Sequence, residues 1–463
     1  MDQKYTLENI EELFNFIENK QYRNLKDAIV DWNEADIAEL IEKVAEEYGN
    51  EKAVLLFRLL SKDVASDVFA FLPTYVQADI VNVMSDVEVK NILEDLYVDD
   101  AVDLIEELPA NVVKRVLKNA TSQTRATINQ FLKYPDNSAG SIMTNEYLAI
   151  KKTLTVQQTF DYIRSNGQDM ETIYTLFVTD KQRHLEGIVT VKDLLMNPYE
   201  TVVEDIMDPN VIYAVTTDDQ EDVADQFSKY GLVTMPVVDS ENRMVGIVTV
   251  DDVVDVMEDE ATEDIEKMAA ILPTEKPYLK TSVFNTWKSR IPWLLLLMIS
   301  ATFTGQIITS FEDALATCVV LTAFIPMLMD TGGNSGSQAS VTIIRALSLG
   351  DIEFKDIFKV IWKEFRVSIV CAITLATLNF GKIMLIDRLL FNNTDVTVFI
   401  AFVVCLAMVF TIIVAKFVGC TLPMLAQKIG LDPAVMASPF ITTIVDAISL
   451  LIYFGIAKWL LNI

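Results

Sequence analysis

The sequence has a single histidine, His184, and only four cysteines, which limits the metal chemistry that it can support. Cys318, Cys371, Cys405 and Cys420 have neither the spacing of a zinc site nor that of a disulfide framework. Zinc and di-iron centres usually need several imidazole or thiolate ligands. We therefore expect no such centre, and we interpret the cysteines as small core residues.

Basic residues are also scarce, with 37 Lys and Arg against 66 Asp and Glu. The imbalance is confined to residues 1–283, which hold 55 acidic and 25 basic side chains, whereas residues 284–463 hold 11 and 12. Because phosphate contacts need Lys and Arg, we expect no nucleic-acid partner. An acidic surface suits hard cations, although it can also serve solubility alone.

Motifs of enzymes and of secretion are missing as well. The sequence contains no nucleophile beside a base, no P-loop and no phosphorylatable aspartate motif, so we expect neither an enzyme nor an ATPase. The first residues, MDQKYTLENIEELF, are polar and acidic, unlike a secretory signal. We therefore expect the N-terminus to stay in the cytosol.

Long apolar segments dominate the last part of a chain that is 51% hydrophobic. A membrane-spanning helix needs about 20 apolar residues. Five segments meet that length: Ile291 to Ser310, Ala314 to Ala339, Val367 to Ile386, Val396 to Ala415 and Pro433 to Ala457. Basic residues precede the first segment and occur in the connections after the second and the fourth, the latter including Lys416 and Lys428. The positive-inside rule then predicts a cytosolic N-terminus and an extracytoplasmic C-terminus.

Residues 1–135 show apolar residues at helical spacing and acidic, leucine-rich segments that recur, which predicts an all-α superhelical N-terminal domain. Residues 136–257 contain a clearer repeat, since HLEGIVTVKDLL from His184 matches RMVGIVTVDDVV from Arg243. These two copies, at 138–200 and 201–257, resemble tandem cystathionine-β-synthase (CBS) domains, an α/β pair. Residues 258–285 are predicted to form a linking helix, followed by a membrane domain of five helices at 286–463.

The acidic segment DDVVDVMEDEATED, from Asp251 to Asp264, is predicted to form one helix. Like charges three and four residues apart destabilise a helix unless something neutralises them. A bound cation would do so, although a merely solvated acidic helix is the alternative.

A carboxylate near the middle of the last apolar segment points to ion transport. Asp446 lies there at a cost of about 2.5 to 3.5 kcal/mol, and hydroxyl groups one and two turns away predict a polar stripe along the same face: Ser438, Thr442, Thr443 and Ser449. Such a face suits Mg²⁺, which prefers oxygen ligands and keeps much of its water. The alternative is an ion pair with Lys382 or Lys416.

The second apolar segment contains three glycines, Gly332, Gly333 and Gly336, within MLMDTGGNSGSQAS. We expect them to interrupt the helix beside a wet cavity, because polar side chains accompany them: Asp330, Asn334, Ser335 and Gln338. Close helix packing is the other common reason for small residues in such a segment.

Together these motifs resemble the MgtE family of Mg²⁺ channels and transporters. The similarity rests on PMLMDTGGNSGSQAS, DPAVMASPFITTIVDAISLLIYF, YPDNSAGSIM and the order of the domains, and it covers essentially the whole chain. It implies a homodimer in the cell membrane, with Asp446 at the family's pore aspartate and Asn334 in its GGN segment. It also implies that cytosolic Mg²⁺ closes the channel, and that Mg²⁺ flows down its electrochemical gradient.

The resemblance implies that Mg²⁺ is sensed by two acidic groups, one in the N-terminal domain and one along the linking helix. Together with the charge pattern of that helix, this gives the following candidates: Asp99, Asp100, Asp103, Asp251, Asp252, Asp255, Glu258, Asp259, Glu260, Glu263 and Asp264. CBS domains that bind adenosine nucleotides place ribose contacts at positions matching Thr190, Asp193, Thr249 and Asp252. A basic phosphate cluster is not evident beside them, so ATP or another adenosine nucleotide is an optional ligand. Two other functions stay open: a broader transporter of Mn²⁺, Co²⁺, Ni²⁺ or Zn²⁺, and a membrane-anchored, nucleotide-sensing regulator.

Overall fold

The computed structural model describes residues 7–168, 170–274, 278–436 and 438–462. The side chains of residues 7–10, Asp63, Glu107 and Ser438 lie outside the described part of the structure. The chain divides into two compact units, Met1–Met257 and Glu258–Ile463.

The first unit begins with ten amphipathic helices, as the spacing of apolar residues predicts. They are α1 (Leu7–Glu18), α2 (Tyr22–Ile29), α3 (Glu34–Tyr48), α4 (Asn50–Phe57), α5 (Lys62–Ala70), α6 (Thr74–Val83), α7 (Asp86–Asp95), α8 (Val98–Glu107), α9 (Ala110–Asn119) and α10 (Ser122–Phe131). Pro73 and Pro109 directly precede α6 and α9, where a proline costs no helix hydrogen bond. The helices bury one continuous apolar core, so the all-α prediction is confirmed.

The two CBS copies have the same topology. The strands and helices of the first copy are β1 (Ala149–Ile150), α11 (Val156–Asn166), β2 (Thr175–Thr179), β3 (Leu185–Thr190) and α12 (Val191–Met196). Those of the second copy are β4 (Ala214–Val215), α13 (Gln220–Tyr230), β5 (Thr234–Val238), β6 (Met244–Thr249) and α14 (Val250–Met268). In each sheet the first strand pairs parallel with the second, and the second pairs antiparallel with the third. A backbone bridge between His184 and Arg243 joins the copies, so the predicted repeat is confirmed.

Long apolar helices make up most of the second unit. Its helices after α14 are α15 (Val283–Ser310), α16 (Glu312–Thr317), α17 (Ile325–Ser348), α18 (Ile357–Lys382), α19 (Val398–Lys428) and α20 (Ser438–Leu461). A π-helical segment, Ile383–Leu390, continues α18. Among the described residues, four segments are long and apolar enough to cross a membrane: Val283–Ser310, Phe354–Leu390, Val398–Lys428 and Pro433–Leu461.

The second predicted span differs from the prediction. Residues after Ala314 form the end of α16 and a 3-10 segment, Val319–Phe324, and a continuous helix starts only at Ile325. Pro326 favours this start because a proline is tolerated in the first turn of a helix. The helix α17 is 24 residues long but carries many polar residues, so the count of five spans rests on it and stays a prediction.

Two further boundaries were predicted incorrectly. The linking helix was predicted to reach residue 285, but α14 ends at Met268 and α15 starts at Val283. The helix α19 continues to Lys428, which places Lys416 inside the helix rather than in a connection. Lys416 therefore gives no support to the orientation drawn from basic loops.

Candidate functional site

Close packing of α17 against α19 and α20 forms the centre of the second unit. A Cβ atom added at Gly332 would lie 2.7 Å from Thr411 Cγ2 and 2.8 Å from Ser449 Oγ, and one at Gly336 would lie 3.1 Å from the Ala415 carbonyl oxygen. These glycines therefore let three helices approach closely. The expectation that they interrupt the helix is wrong, because their role is packing and α17 is continuous through them.

Asp446 lies inside α20, and no basic side chain among the described residues pairs with it. Lys382 pairs with Asp387 at 2.8 Å, and Lys416 pairs with Glu364 at 3.6 Å, so the alternative of an ion pair to either lysine is wrong. The Oδ1 atom of Asp446 is buried and has no hydrogen-bond partner among the described residues. A carboxylate oxygen in this position needs a compensating ligand or water, because burial of an unpaired charge is costly.

The hydroxyl groups of α20 divide into two sets. Thr442 Oγ1 lies 3.4 Å from Ser337 Oγ of α17, which brings the polar faces of the two helices together. Thr443 donates its hydroxyl to the Pro439 carbonyl, and the buried Ser449 donates to the Val445 carbonyl. Both hydroxyl groups therefore make their hydrogen bonds within α20. Thr442 is thus the better candidate to line a path, while the side chain of Ser438 lies outside the described residues.

The helix α17 contributes the other side of this polar face. Asp330, Asn334 and Gln338 are exposed and four residues apart, so they lie on one side of the helix. Asn334 donates its amide Nδ2 to Asp330 Oδ1 at 3.0 Å. The second unit therefore holds oxygen-bearing side chains on two packed helices, and Asp446 lies one turn after Thr442 on α20.

The first unit contains a separate acidic cluster where α8 meets the start of α14. Asp99 is only 9% exposed, and burial together with the nearby charge of Asp252 raises its pKa. Burial and the charges of Asp252 and Asp251 raise the pKa of Asp100 to about 7. Burial also raises the pKa of Asp252 to about 6. The sequence-predicted residues of α8 and α14 are thus brought together.

Asp103 and Glu171 complete this cluster from its edges. Burial of part of Asp103 and the charge of Asp100 raise the pKa of Asp103, although its side chain still reaches solvent. Glu171, from the segment between α11 and β2, was not predicted, because no periodic pattern or motif marks that segment. Burial and the charges of Asp252 and Asp251 raise its pKa to about 8, and its buried Oε2 has no hydrogen-bond partner in the described structure.

A divalent cation fits this cluster through its waters rather than through a preformed cage. Within the described ranges, no three His, Cys, Asp or Glu side chains converge closely enough to hold a metal ion directly. Mg²⁺ keeps several waters and is usually held by one or two carboxylates, so bridging water would suit these oxygens. The Glu171 Oε2 atom without a described partner, and the repulsion among the half-buried carboxylates of Asp100, Asp252 and Glu171, favour a cation here.

The far end of α14 carries a second charged group. Lys267 Nζ lies 2.8 Å from Glu263 and 2.7 Å from Asp432, the residue just before the segment that leads into α20. Asp264 accepts a hydrogen bond from Ser348 at 3.4 Å, and burial and the charge of Asp432 raise its pKa. The other candidates on this helix, Asp255, Glu258, Asp259 and Glu260, lie between the two groups, and burial and Glu258 raise the pKa of Asp259.

The candidate nucleotide residues have a structural role in both CBS copies. Thr190 donates its hydroxyl to Asp193 at 2.5 Å at the start of α12, and Thr249 donates to Asp252 at 2.5 Å at the start of α14. Such threonines cap helix N-termini. Asp252 therefore belongs both to a cap and to the acidic cluster.

Comparisons with known proteins match most of the chain, domain by domain. Residues 325–456 match the family profile of the MgtE divalent cation transporters, residues 32–137 that of the MgtE intracellular N domain, and residues 139–199 and 203–259 that of the CBS domain. The magnesium transporter MgtE of Thermus thermophilus is 33% identical over 96% of this chain and 100% of its own length. That of Bacillus subtilis is 32% identical over 94% of this chain and 93% of its own length.

Two solved structures resemble the soluble part. The crystal structure of the soluble part of a magnesium transporter is 29% identical, with a TM-score of 0.51, and covers 55% of this chain and 98% of that chain. The cytosolic domain of the Mg²⁺ channel MgtE in complex with ATP is 32% identical, with a TM-score of 0.50, and covers 53% of this chain and 99% of that chain.

Proposed function

Because the chain belongs to the MgtE family and is a multi-pass membrane protein, we propose that it moves Mg²⁺ across the cell membrane. The observation that carries the proposal is the buried Asp446 Oδ1 atom, which has no hydrogen-bond partner in the described part of the chain and lies one turn after Thr442, where α20 meets α17. A doubly charged ion with its waters would compensate this carboxylate each time it passes. Asn334, Gln338, Thr442, Thr443 and Ser438 are the proposed companions of Asp446 along the path.

The exposure of α17 supports a homodimer. In a single chain, Asp330, Asn334 and Gln338 would face lipid, where polar groups cannot be hydrated. A second copy placed against the same face would enclose a water-filled path between the two chains. Lipid then surrounds the apolar outer surfaces, such as that of α15.

Gating follows from the acidic groups of the cytosolic part. When Mg²⁺ binds at Asp99, Asp100, Asp103, Asp251 and Asp252, it neutralises repulsion and favours a closed state. The remaining candidates on α14 act in the same way: Asp255, Glu258, Asp259, Glu260, Glu263 and Asp264. Since a ligand shifts an equilibrium only by its differential affinity, several weak sites acting together suit a millimolar signal.

The direction of transport follows from charge and potential. The N-terminus is proposed to lie in the cytosol and the C-terminus outside, in accord with the basic residues at the start of α18. A membrane potential that is negative on the cytosolic side draws a divalent cation inward without ATP hydrolysis. We therefore propose a transporter rather than an enzyme. The domain boundaries at residues 135, 257 and 286 also remain our proposal, whereas the linking helix α14 ends at Met268.

ATP is a second candidate ligand, because the similar cytosolic domain was solved with ATP bound. We propose that it contacts Thr190 and Asp193, or Thr249 and Asp252, and regulates rather than drives transport. Titration calorimetry of the full chain with ATP tests this. A heat of ATP binding that is reduced by Thr190→Ala or Thr249→Ala supports the proposed site. The absence of any heat of binding in the wild type would refute it.

Flux into proteoliposomes tests the main proposal. Wild-type protein should admit Mg²⁺ along its gradient, faster when the lumen is negative, and protein-free vesicles should not. Parallel assays with Ca²⁺, Mn²⁺ and Co²⁺ measure selectivity and decide between a Mg²⁺ transporter and a broader divalent one. If no Mg²⁺ passes at any luminal Mg²⁺ concentration, the membrane-anchored, nucleotide-sensing regulator becomes the favoured function.

A further inference from the structure

Asp330 is an exposed carboxylate at one end of the polar face of α17. It lies one turn before Asn334 and two turns before Gln338, while Gly332 and Gly336 are buried on the opposite side of the helix. A charged residue on a membrane helix is costly unless it meets water, a partner or an ion. Its position on the same face as Asn334 places it beside the proposed path.

The packing of α17 on α20 gives the level of Asp330 relative to Asp446. A Cβ atom at Gly336 would adjoin Ile441 and Val445, whereas one at Gly332 would adjoin Val445 and Ser449. The two helices are therefore antiparallel, and Asp446 lies level with Gly332 and its C-terminal neighbour. Asp330 is about one turn, or roughly 4.5 Å, further along the axis.

Its surroundings make Asp330 an acceptor for a hydrated cation. Asn334 donates to Oδ1 of Asp330, which orients both groups and leaves the amide oxygen of Asn334 as an acceptor. With about one helical turn between their levels, the negative charges of Asp330 and Asp446 repel each other. Two carboxylates a turn apart lower the cost of moving an ion between sites, as conduction through several weak sites requires.

We infer that Asp330 is the outer carboxylate of the path, which gathers hydrated Mg²⁺ on the extracytoplasmic side and passes it to Asp446. The inference rests on the proposed function and its membrane orientation. In that orientation the start of α17 faces outward, so an incoming ion meets Asp330 before Asp446. Asp330 therefore sets the external Mg²⁺ concentration at which the path fills.

Flux as a function of external Mg²⁺ tests the inference with matched variants of the full chain. Asp330→Asn should raise the half-saturating concentration about fivefold, equivalent to about 1 kcal/mol, with an unchanged maximal flux. Asp330→Glu should behave as wild type, because it keeps the charge. Asp395→Asn, which removes an exposed charge proposed to lie on the same side, should also leave half-saturation unchanged.

Salt and a second substitution keep the test decisive. Part of the attraction of Asp330 for Mg²⁺ is long-range and is screened by salt. Raising KCl from about 50 to about 500 mM should therefore reduce the difference in half-saturating Mg²⁺ concentration between Asp330→Asn and wild type. Asp330→Ser provides the same comparison if the Asn variant is not monodisperse. Unchanged half-saturation in both variants, or a lower maximal flux without a shift, would overturn the inference.

The failures of the two proposals can be told apart. If Asp446→Asn abolishes flux while Asp330→Asn is indistinguishable from wild type, the transport proposal stands and the role of Asp330 is refuted. If the wild type itself passes no Mg²⁺, both are refuted.

Discussion

Lys416 of α19 lies 3.6 Å from Glu364 of α18, and their side chains are only 7% and 12% exposed. The pair joins two membrane helices in an apolar environment, and it explains why Lys416 does not neutralise Asp446. A buried charge that keeps its partner is tolerated, whereas one that loses its partner is strongly destabilising.

Lys416→Met should therefore destabilise the second unit by about 3 to 5 kcal/mol, because Glu364 is left buried without compensation. Thermal unfolding in detergent measures the loss, and the double variant Lys416→Met, Glu364→Gln should recover most of it. Lys382→Met serves as the control, since Lys382 is 44% exposed in its pair with Asp387 and should cost less than about 1 kcal/mol. Equal losses for the two single variants would contradict the role given to burial.

Gly332→Ala should disrupt the packing of α17. The added methyl would lie 2.7 Å from Thr411 and 2.8 Å from Ser449, so neighbouring helices must move apart at a cost of about 1 to 3 kcal/mol. Gly305→Ala in α15 is the matched control, because its new Cβ would meet no described atom within 4 Å beyond the adjacent backbone of its own helix, and alanine favours a helix. We expect a lower unfolding temperature and lower flux only for Gly332→Ala; a tolerated substitution there would argue against close packing.

Lys267 should act as a fixed positive charge in the group formed by Glu263, Asp264 and Asp432. Lys267→Met leaves these carboxylates to repel one another, so α14 should be cleaved faster by protease at low Mg²⁺. At high Mg²⁺ the ion replaces the missing charge, and cleavage should return to the wild-type rate. Lys267→Arg should match wild type throughout, and a Met variant that behaves identically at all concentrations would exclude such a role.

The acidic cluster should make the metal-free protein less stable as pH rises. Folded carboxyl groups with pKa values of about 7 at Asp100, about 6 at Asp252 and about 8 at Glu171 hold protons that the unfolded chain releases near pH 4. The folded state then binds more protons, so stability falls from about pH 4 to about pH 8. Mg²⁺ should restore it most strongly at the upper end and release protons on binding.

Unfolding temperatures at pH 6, 7 and 8 (roughly the span of these pKa values), with and without Mg²⁺, measure this linkage. Asp100→Asn removes one of the titrating groups and should flatten the pH dependence without Mg²⁺. A metal-free unfolding temperature that is constant or rises over this range would refute the linkage.

Periodic and repeated features of this sequence predicted the fold well. The helical spacing before Pro135 and the matched segments at His184 and Arg243 correspond to observed helices and to two sheets of one topology. Such patterns work because burial of one face must repeat with the period of the helix or strand. The ion-pair alternative for Asp446 failed because pairing across helices depends on tertiary register, which spacing along the chain does not give.

Features that depend on long-range contacts were predicted less well. The glycines near Asn334 were expected to break α17, but their role depends on Thr411, Ser449 and Ala415, which are distant in sequence. Glu171 was missed for the same reason, since only folding brings it near Asp252. Local composition cannot distinguish a glycine that breaks a helix from one that lets a neighbour approach.

The measurement that tests the central claim most directly is Mg²⁺ flux through Asp446→Asn beside wild type and Asp395→Asn in the same vesicles. Neutralising Asp446 keeps the size of the side chain but removes the charge that compensates the ion, so flux should fall at least about tenfold, a loss of about 1.4 kcal/mol or more in the barrier, while Asp395→Asn keeps wild-type flux. Wild-type flux through a folded Asp446→Asn protein would contradict the account.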